Sequence, residues 1–326
     1  MRPFINYCIA WLRSTSRPAL LLTILLVAAL VAANYTVGIE SRLRALPWYF
    51  SIGGFWLFYC MVLAVVWGLR VYFLPALAGG PDEVRSGEWN KTPVGQRKLL
   101  LILVLAPLYF SLKMVHWDTL ALLPAAIRPP WDHYTMLVTQ LPLKLLLLFG
   151  FLRAIYKAGL LPGDSLGNAV GLTRKNFNPL PYFGLLALMI PLIALASTQH
   201  DFLLVYPKMK NLVYLDRFAH PAWPWKLLYE FSYGLDFLGI ELFFRGLLVV
   251  ALLDYVGEDA ILPMAAFYCT IHFGKPLGEC ISSFFGGLIL GVLAARTRTI
   301  LGGLIVHLGL AWLMELGGWL GSFWHH

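Results

Sequence analysis

Glu241-Leu-Phe-Phe-Arg245 places a carboxylate and a guanidinium four residues apart inside an otherwise apolar run from Phe237 to Leu253. Ionisable side chains are costly at membrane depth, about 3 kcal/mol each on insertion scales, so they normally face a polar interior and act there. On a helix the two share a face. His272 and His307 stand in later hydrophobic segments, the second well inside the last one. A carboxylate with two imidazoles supports two related chemistries. Glu241, His272 and His307 together suit a zinc ion that lowers the pKa of a bound water to about 7. Alternatively, the glutamate itself takes the proton from water while a histidine donates to the developing oxyanion. Both end in hydrolysis, and the sequence contains no H-E-x-x-H zinc-protease signature.

Each residue also has a plainer reading. Glu241 with Arg245 suits a structural ion pair locking two helices, and a lone histidine near a helix end is commonly a hydrogen-bonded packing residue. The company of the four changes that balance. Further carboxylates lie close by in sequence: Glu230 and Asp236 precede the motif, Glu315 follows His307 by eight residues, and Glu279 opens the helix after His272. Glu279 ranks first among them as a second catalytic carboxylate, although a carboxylate there also suits the helix dipole. Cys8, Cys60, Cys269 and Cys280 form no C-x-x-C pair and read as small buried hydrophobes. Cys269, three residues before His272, has the spacing of a thiol–imidazole pair without any other mark of a cysteine protease.

The elements that must position these residues are membrane helices. Of 326 residues, 59% are hydrophobic and 13% charged, against about 25% charged in soluble domains. Hydrophobic segments run over about 18–38, 48–76, 99–115, 136–160, 180–198, 226–252, 262–273, 281–295 and 299–321. They predict an all-α polytopic membrane bundle of about eight or nine helices, with Pro18 to Val37 as a retained first span. The 262–273 segment is short for a span, and Gly286, Gly287 and Gly291 predict close helix approach in the next one. Trp48, Tyr49, Trp117, Trp131, Trp223, Trp225, Trp319 and Trp324 predict an interfacial aromatic belt. The net charge of +8 is scattered over loops, which excludes a nucleic-acid stripe. A cytoplasmic N-terminus puts Arg85, Lys91, Arg97, Lys98, Arg153, Lys157, Arg174, Lys175, Arg296 and Arg298 inside, with Lys208, Lys210 and Arg217 against the rule. A polar connector, 163–176, separates N-terminal transmembrane helices over 1–162 from a C-terminal part, 163–326, that holds the polar residues.

In order and spacing, Glu241-x-x-x-Arg245-Gly246, an aromatic four residues before His272, Gly-x-x-x-Gly, Arg-Thr-Arg and a last helix with His307 resemble one family. It is the CAAX-protease and bacteriocin-processing (Abi, CPBP) family of intramembrane endopeptidases, over about 224–320. The resemblance implies an all-helical membrane peptidase in which a motif-one glutamate activates water and two histidines complete the site. By position Glu241 and Arg245 are the motif-one pair, and His272 and His307 the histidines of motifs two and three. Such peptidases are described as metal-dependent or as glutamic, so the resemblance leaves zinc and a metal-free site both open. The chain departs from the pattern at Ile240, where a first glutamate usually stands, at Tyr268 for phenylalanine, and at Ala311 for an asparagine or aspartate.

The function expected is therefore cleavage of a peptide bond in a membrane-associated peptide or protein, with the lipid bilayer as the other partner and no nucleic acid. The expected location is the bacterial cytoplasmic membrane. Ile240 and Ala311 favour the alternative, an inactive scaffold of the same fold. A transporter would call for inverted repeats, and the sequence shows none.

Overall fold

The computed structural model describes residues 2–70, 92–114, 129, 131–175 and 177–324. The described residues are helical throughout and include no strand. Five helices are long and apolar enough to cross a membrane: Arg17–Val37, Trp48–Gly68, Trp131–Lys157, Leu277–Thr297 and Leu301–Phe323. Their outward faces carry Leu21, Leu25, Leu57, Met61 and Ile289, exposed as lipid-facing side chains are, while Phe55, Tyr59 and Val66 are buried. Trp48, Tyr49, Trp223 and Trp319 are exposed near helix ends, where a headgroup belt needs them. Arg85, Lys91 and Trp117 lie outside the described residues, as does the side chain of Trp324.

The helices number more than the eight or nine expected, because several apolar segments are not single spans. The stretch read as one segment, 226–252, is an α-helix over Trp223–Glu241, a π-helix over Leu242–Leu247 and a 3-10 turn over Val250–Leu252. The short segment after it is the ten-residue helix Ile261–Thr270, and all ten side chains are buried in protein. It is a core helix, as short apolar stretches commonly are. Two amphipathic pieces, Arg2–Ser14 and Ile39–Ala45, fall outside the expected spans altogether.

The chain divides into two compact units, each assembled from three stretches. One comprises Met1–Val115, Phe151–Phe177 and Leu242–Gly303, and the other His116–Gly150, Asn178–Glu241 and Leu304–His326. They are a different division from the sequence halves at 162/163.

The core of the first unit is aromatic. Phe110, Phe243, Phe244 and Phe267 meet with centroids 4.9–6.0 Å apart, and Tyr59 stands 4.6 Å from Phe267. Helix Leu277–Thr297 packs on Ile261–Thr270 through glycine. A β-carbon on Gly287 would lie 3.2 Å from the Tyr268 ring and one on Gly291 2.7 Å from Met264, whereas Gly286 faces open space and takes no part. The polar connector docks here as well. The Ile300 N–H donates to the Gly171 carbonyl at 2.9 Å, Thr299 donates its hydroxyl to Thr173 at 2.7 Å, and Gly246 meets Val170 so closely that a β-carbon would sit 2.7 Å from its carbonyl oxygen.

In the second unit, Leu301–Trp324 presents glycines to its neighbours. A β-carbon on Gly317 would meet Ile193 at 3.0 Å, and one on Gly318 would meet the Pro207 nitrogen at 2.6 Å. Ser232 ties the helix Trp223–Glu241 to Trp131–Lys157 by donating its hydroxyl to the Val138 carbonyl at 2.5 Å. Tyr134, Leu212, Leu215 and Tyr229 form a buried cluster under the loop that joins Val205 to Trp223.

Candidate functional site

The candidate residues fall into two groups, one in each unit. In the second unit, Glu241 ends the helix Trp223–Glu241 and has no exposed surface. Its Oε1 lies 3.0 Å from Nδ1 of His307, on the helix Leu301–Trp324. The helices come close because Gly234 leaves only Leu308 within reach, at 3.2 Å from where its β-carbon would be. Phe237, one turn before Glu241, stands 4.9 Å from the His307 ring and fixes its plane. With the glutamate ionised, the imidazole donates from Nδ1 to Oε1, which makes Nε2 the acceptor nitrogen of the neutral ring.

In the first unit, Arg245 lies in the π-helical stretch just after Glu241 and is fully buried. π-turns recur at functional sites, where the wider turn re-aims side chains. The Arg245 guanidinium carbon sits 4.3 Å from the centroid of the Tyr268 ring, a cation–π contact that strengthens when water is excluded. Gly287 backs that ring and Phe244 meets its edge at 5.0 Å. His272, one turn beyond Tyr268, hydrogen-bonds through Nδ1 to the Tyr268 carbonyl at 2.9 Å, with the rings 4.7 Å apart. A carbonyl only accepts, so Nδ1 carries the proton and Nε2 is again the acceptor nitrogen. Tyr268 thus serves both neighbours, its ring face the guanidinium and its carbonyl the imidazole. Its i, i+4 spacing to His272 was the sequence signal for one contact, and the sequence held none for the other.

Glu279 stands in the first turn of Leu277–Thr297 and pairs with Lys275 at 3.2 Å. Glu315 accepts backbone N–H bonds from Lys208 at 2.7 Å and Met209 at 3.1 Å, capping the 3-10 helix Lys208–Arg217. Cys269 and Cys280 are buried and aim their thiols at each other's carbonyls, at 3.3 and 3.9 Å. That geometry ties two helices and directs the Cys269 sulfur to a carbonyl oxygen. Cys8 and Cys60 are only part-buried, contrary to the buried reading.

For a zinc ion, the Glu241–His307 pair offers two donors. Among the described residues no group of three His, Cys, Asp or Glu side chains is disposed to hold a metal ion.

Residues 223–313 match the family model described as type II CAAX prenyl endopeptidase Rce1-like. The match covers Glu241, Arg245, His272, Glu279 and His307, and bears out the resemblance drawn from the motifs. No curated protein and no solved structure matches the chain. The family match and the five apolar helices support a multi-pass membrane protein.

Proposed function

We propose that this chain is a membrane-embedded endopeptidase of the CAAX-protease-like class that hydrolyses a peptide bond in a membrane-associated peptide or protein. The observation that carries the proposal is the wholly buried Glu241 carboxylate, hydrogen-bonded to His307 inside the stretch that matches a peptidase family. In this reading the ionised Glu241 takes the proton from the attacking water on its other carboxylate oxygen, and His307 holds Oε1 in place through Nδ1–H. General acid–base help of this kind contributes about 10²–10⁴-fold in rate. Arg245, held over the Tyr268 ring, is assigned an orienting role, because guanidinium keeps its charge at any working pH and fixes oxygen geometry through planar donors. His272 is assigned as donor to the developing oxyanion from Nε2 of the protonated ring, its Nδ1–H staying on the Tyr268 carbonyl. Both assignments follow the motif positions.

The scaffold reading draws on Ile240 and Ala311, where the motif usually has a carboxylate and a polar partner. One experiment separates the two. The purified protein in liposomes is mixed with a library of lipid-anchored peptides, prenylated and not, and new termini are read by mass spectrometry. New termini with the native chain and none with Glu241→Gln support the peptidase. No new termini with either supports the scaffold. Metal analysis of the same preparation, with turnover measured in a chelator, decides between the zinc-assisted and metal-free forms of the reaction.

A further inference from the structure

His272 follows the helix Ile261–Thr270 at the start of a tight turn that ends at Pro276. The turn's own backbone bonds are Ile271 N–H to Phe267 at 3.4 Å, His272 N–H to Cys269 at 3.0 Å, Phe273 N–H to Thr270 at 3.3 Å and Lys275 N–H to His272 at 3.1 Å. Phe273 is buried and Gly274 at the tip is exposed. A short turn is held by what packs against it as well as by its own bonds. That hold comes from helices near the N-terminus, outside the 223–313 family match.

Tyr35, near the end of Arg17–Val37, donates its hydroxyl to the Lys275 carbonyl. Glu40, in the first turn of Ile39–Ala45, lays its carboxylate against Gly274. A β-carbon there would lie 3.1 Å from Glu40 Oε2, and the backbone has φ +81, the left-handed conformation that calls for glycine. Glu40 is itself fixed. Arg44 forms an ion pair with it one turn on, and its backbone N–H donates to Oδ1 of the buried Asn34 at 2.9 Å. Phe58 stands 6.1 Å from Phe273 on the buried side. The turn is therefore gripped at residues 273, 274 and 275, immediately after the histidine.

We propose that Tyr35 and Glu40 are positioning residues for His272: they fix the 271–276 turn, and through it the direction of the imidazole whose Nδ1–H bonds to Tyr268. What His272 does for the reaction rests on the peptidase reading, while how it is held rests on these contacts alone. A catalytic group misplaced by about 1 Å costs on the order of 100-fold in rate, so a clamp of this kind acts on turnover more than on affinity.

The test uses the full chain in lipid nanodiscs with ¹⁵N-labelled histidine, the His272 signals being identified by their loss in His272→Asn. Tyr35→Phe removes the hydroxyl donor and keeps the ring. Glu40→Gln removes the charge and keeps the shape. In the double variant the ¹⁵N signals of His272 are expected to shift and broaden, with a smaller Nδ1–H fraction, while those of His307 stay in place. With a cleaved library peptide, kcat is expected to fall about 10–100-fold at unchanged KM. Should the double variant misfold, the two single variants carry the comparison, each with a smaller shift of the same sign. His272 signals identical to those of the native chain overturn the proposal, and so does an equal change at His307, which marks general loosening. A native chain that cleaves nothing, but whose His272 signals respond to both substitutions, sinks the peptidase reading and leaves the clamp standing.

Discussion

Oε1 of Glu241 lies 3.0 Å from Nδ1 of His307 across 66 residues of chain, with the carboxylate shut away from any exposed surface. A buried acid held by an imidazole acts as one unit, and units respond to mutation non-additively. Glu241→Gln and His307→Asn are each expected to lower turnover by about 10²–10⁴-fold, and the double variant to lose little more. The fold should persist in Glu241→Gln, because the amide oxygen still accepts from Nδ1–H. Steady-state rates for the four proteins decide it, since losses that multiply in full would mean that the two side chains act separately.

Arg245→Lys keeps the charge and loses the plane. The Arg245 guanidinium lies 4.3 Å from the Tyr268 ring centroid in a buried setting, and such contacts are worth up to ~2 kcal/mol when desolvated. The Lys variant is expected to cut turnover at least ten-fold. Tyr268→Leu should reproduce most of that loss, whereas Tyr268→Phe, which keeps the ring face, should not. Native rates in Arg245→Lys would reduce the arginine to a generic counter-ion.

The class of fold and the identity of the polar residues were legible in the sequence, because charge and imidazole inside apolar segments stand out and glycines at 287 and 291 mark close helix approach. Segment length was a poorer guide. A fully apolar stretch such as Ile261–Thr270 reads alike whether it faces lipid or protein, and only packing tells them apart. The π-helix at Leu242–Leu247 was invisible, since no local residue pattern requires a wider turn. Contacts made across long stretches of chain were equally hidden: Val170 under Gly246, Glu40 against Gly274, and Glu315 on the N–H groups of Lys208 and Met209. In each of these, one partner is a backbone group or a glycine, and neither names the residue it meets.

Glu315 was among the candidate catalytic carboxylates, and the structure gives both of its oxygens to the backbone of residues 208 and 209. A carboxylate accepting two N–H bonds is stabilising, and its removal strands those donors at about 1–3 kcal/mol. Glu315→Ala is expected to lower the melting temperature by several degrees and to expose the Val205–Trp223 connection to limited proteolysis. Glu315→Gln, which keeps one acceptor oxygen, should fall between. Unchanged proteolysis in the alanine variant would show that the loop is held by its apolar cluster alone.

Another of these carboxylates is Glu279, the strongest sequence candidate to replace the glutamate missing at Ile240. Its carboxylate pairs with Lys275 at 3.2 Å, with 33% of the lysine and 17% of the glutamate side chain exposed. Pairs with that much water contribute about 0–1 kcal/mol, so breaking this one should leave the fold intact and make activity a clean readout. If Glu241 carries the base role, Glu279→Gln retains cleavage within about two-fold while Glu241→Gln loses it at the scale of general-base catalysis. Cleavage lost in the Glu279 variant and kept in the Glu241 variant would move the catalytic carboxylate to the start of the helix Leu277–Thr297. Loss in both would make the two glutamates partners in one reaction. Cleavage unaffected by either would place the base elsewhere in the chain and sink the glutamate mechanism.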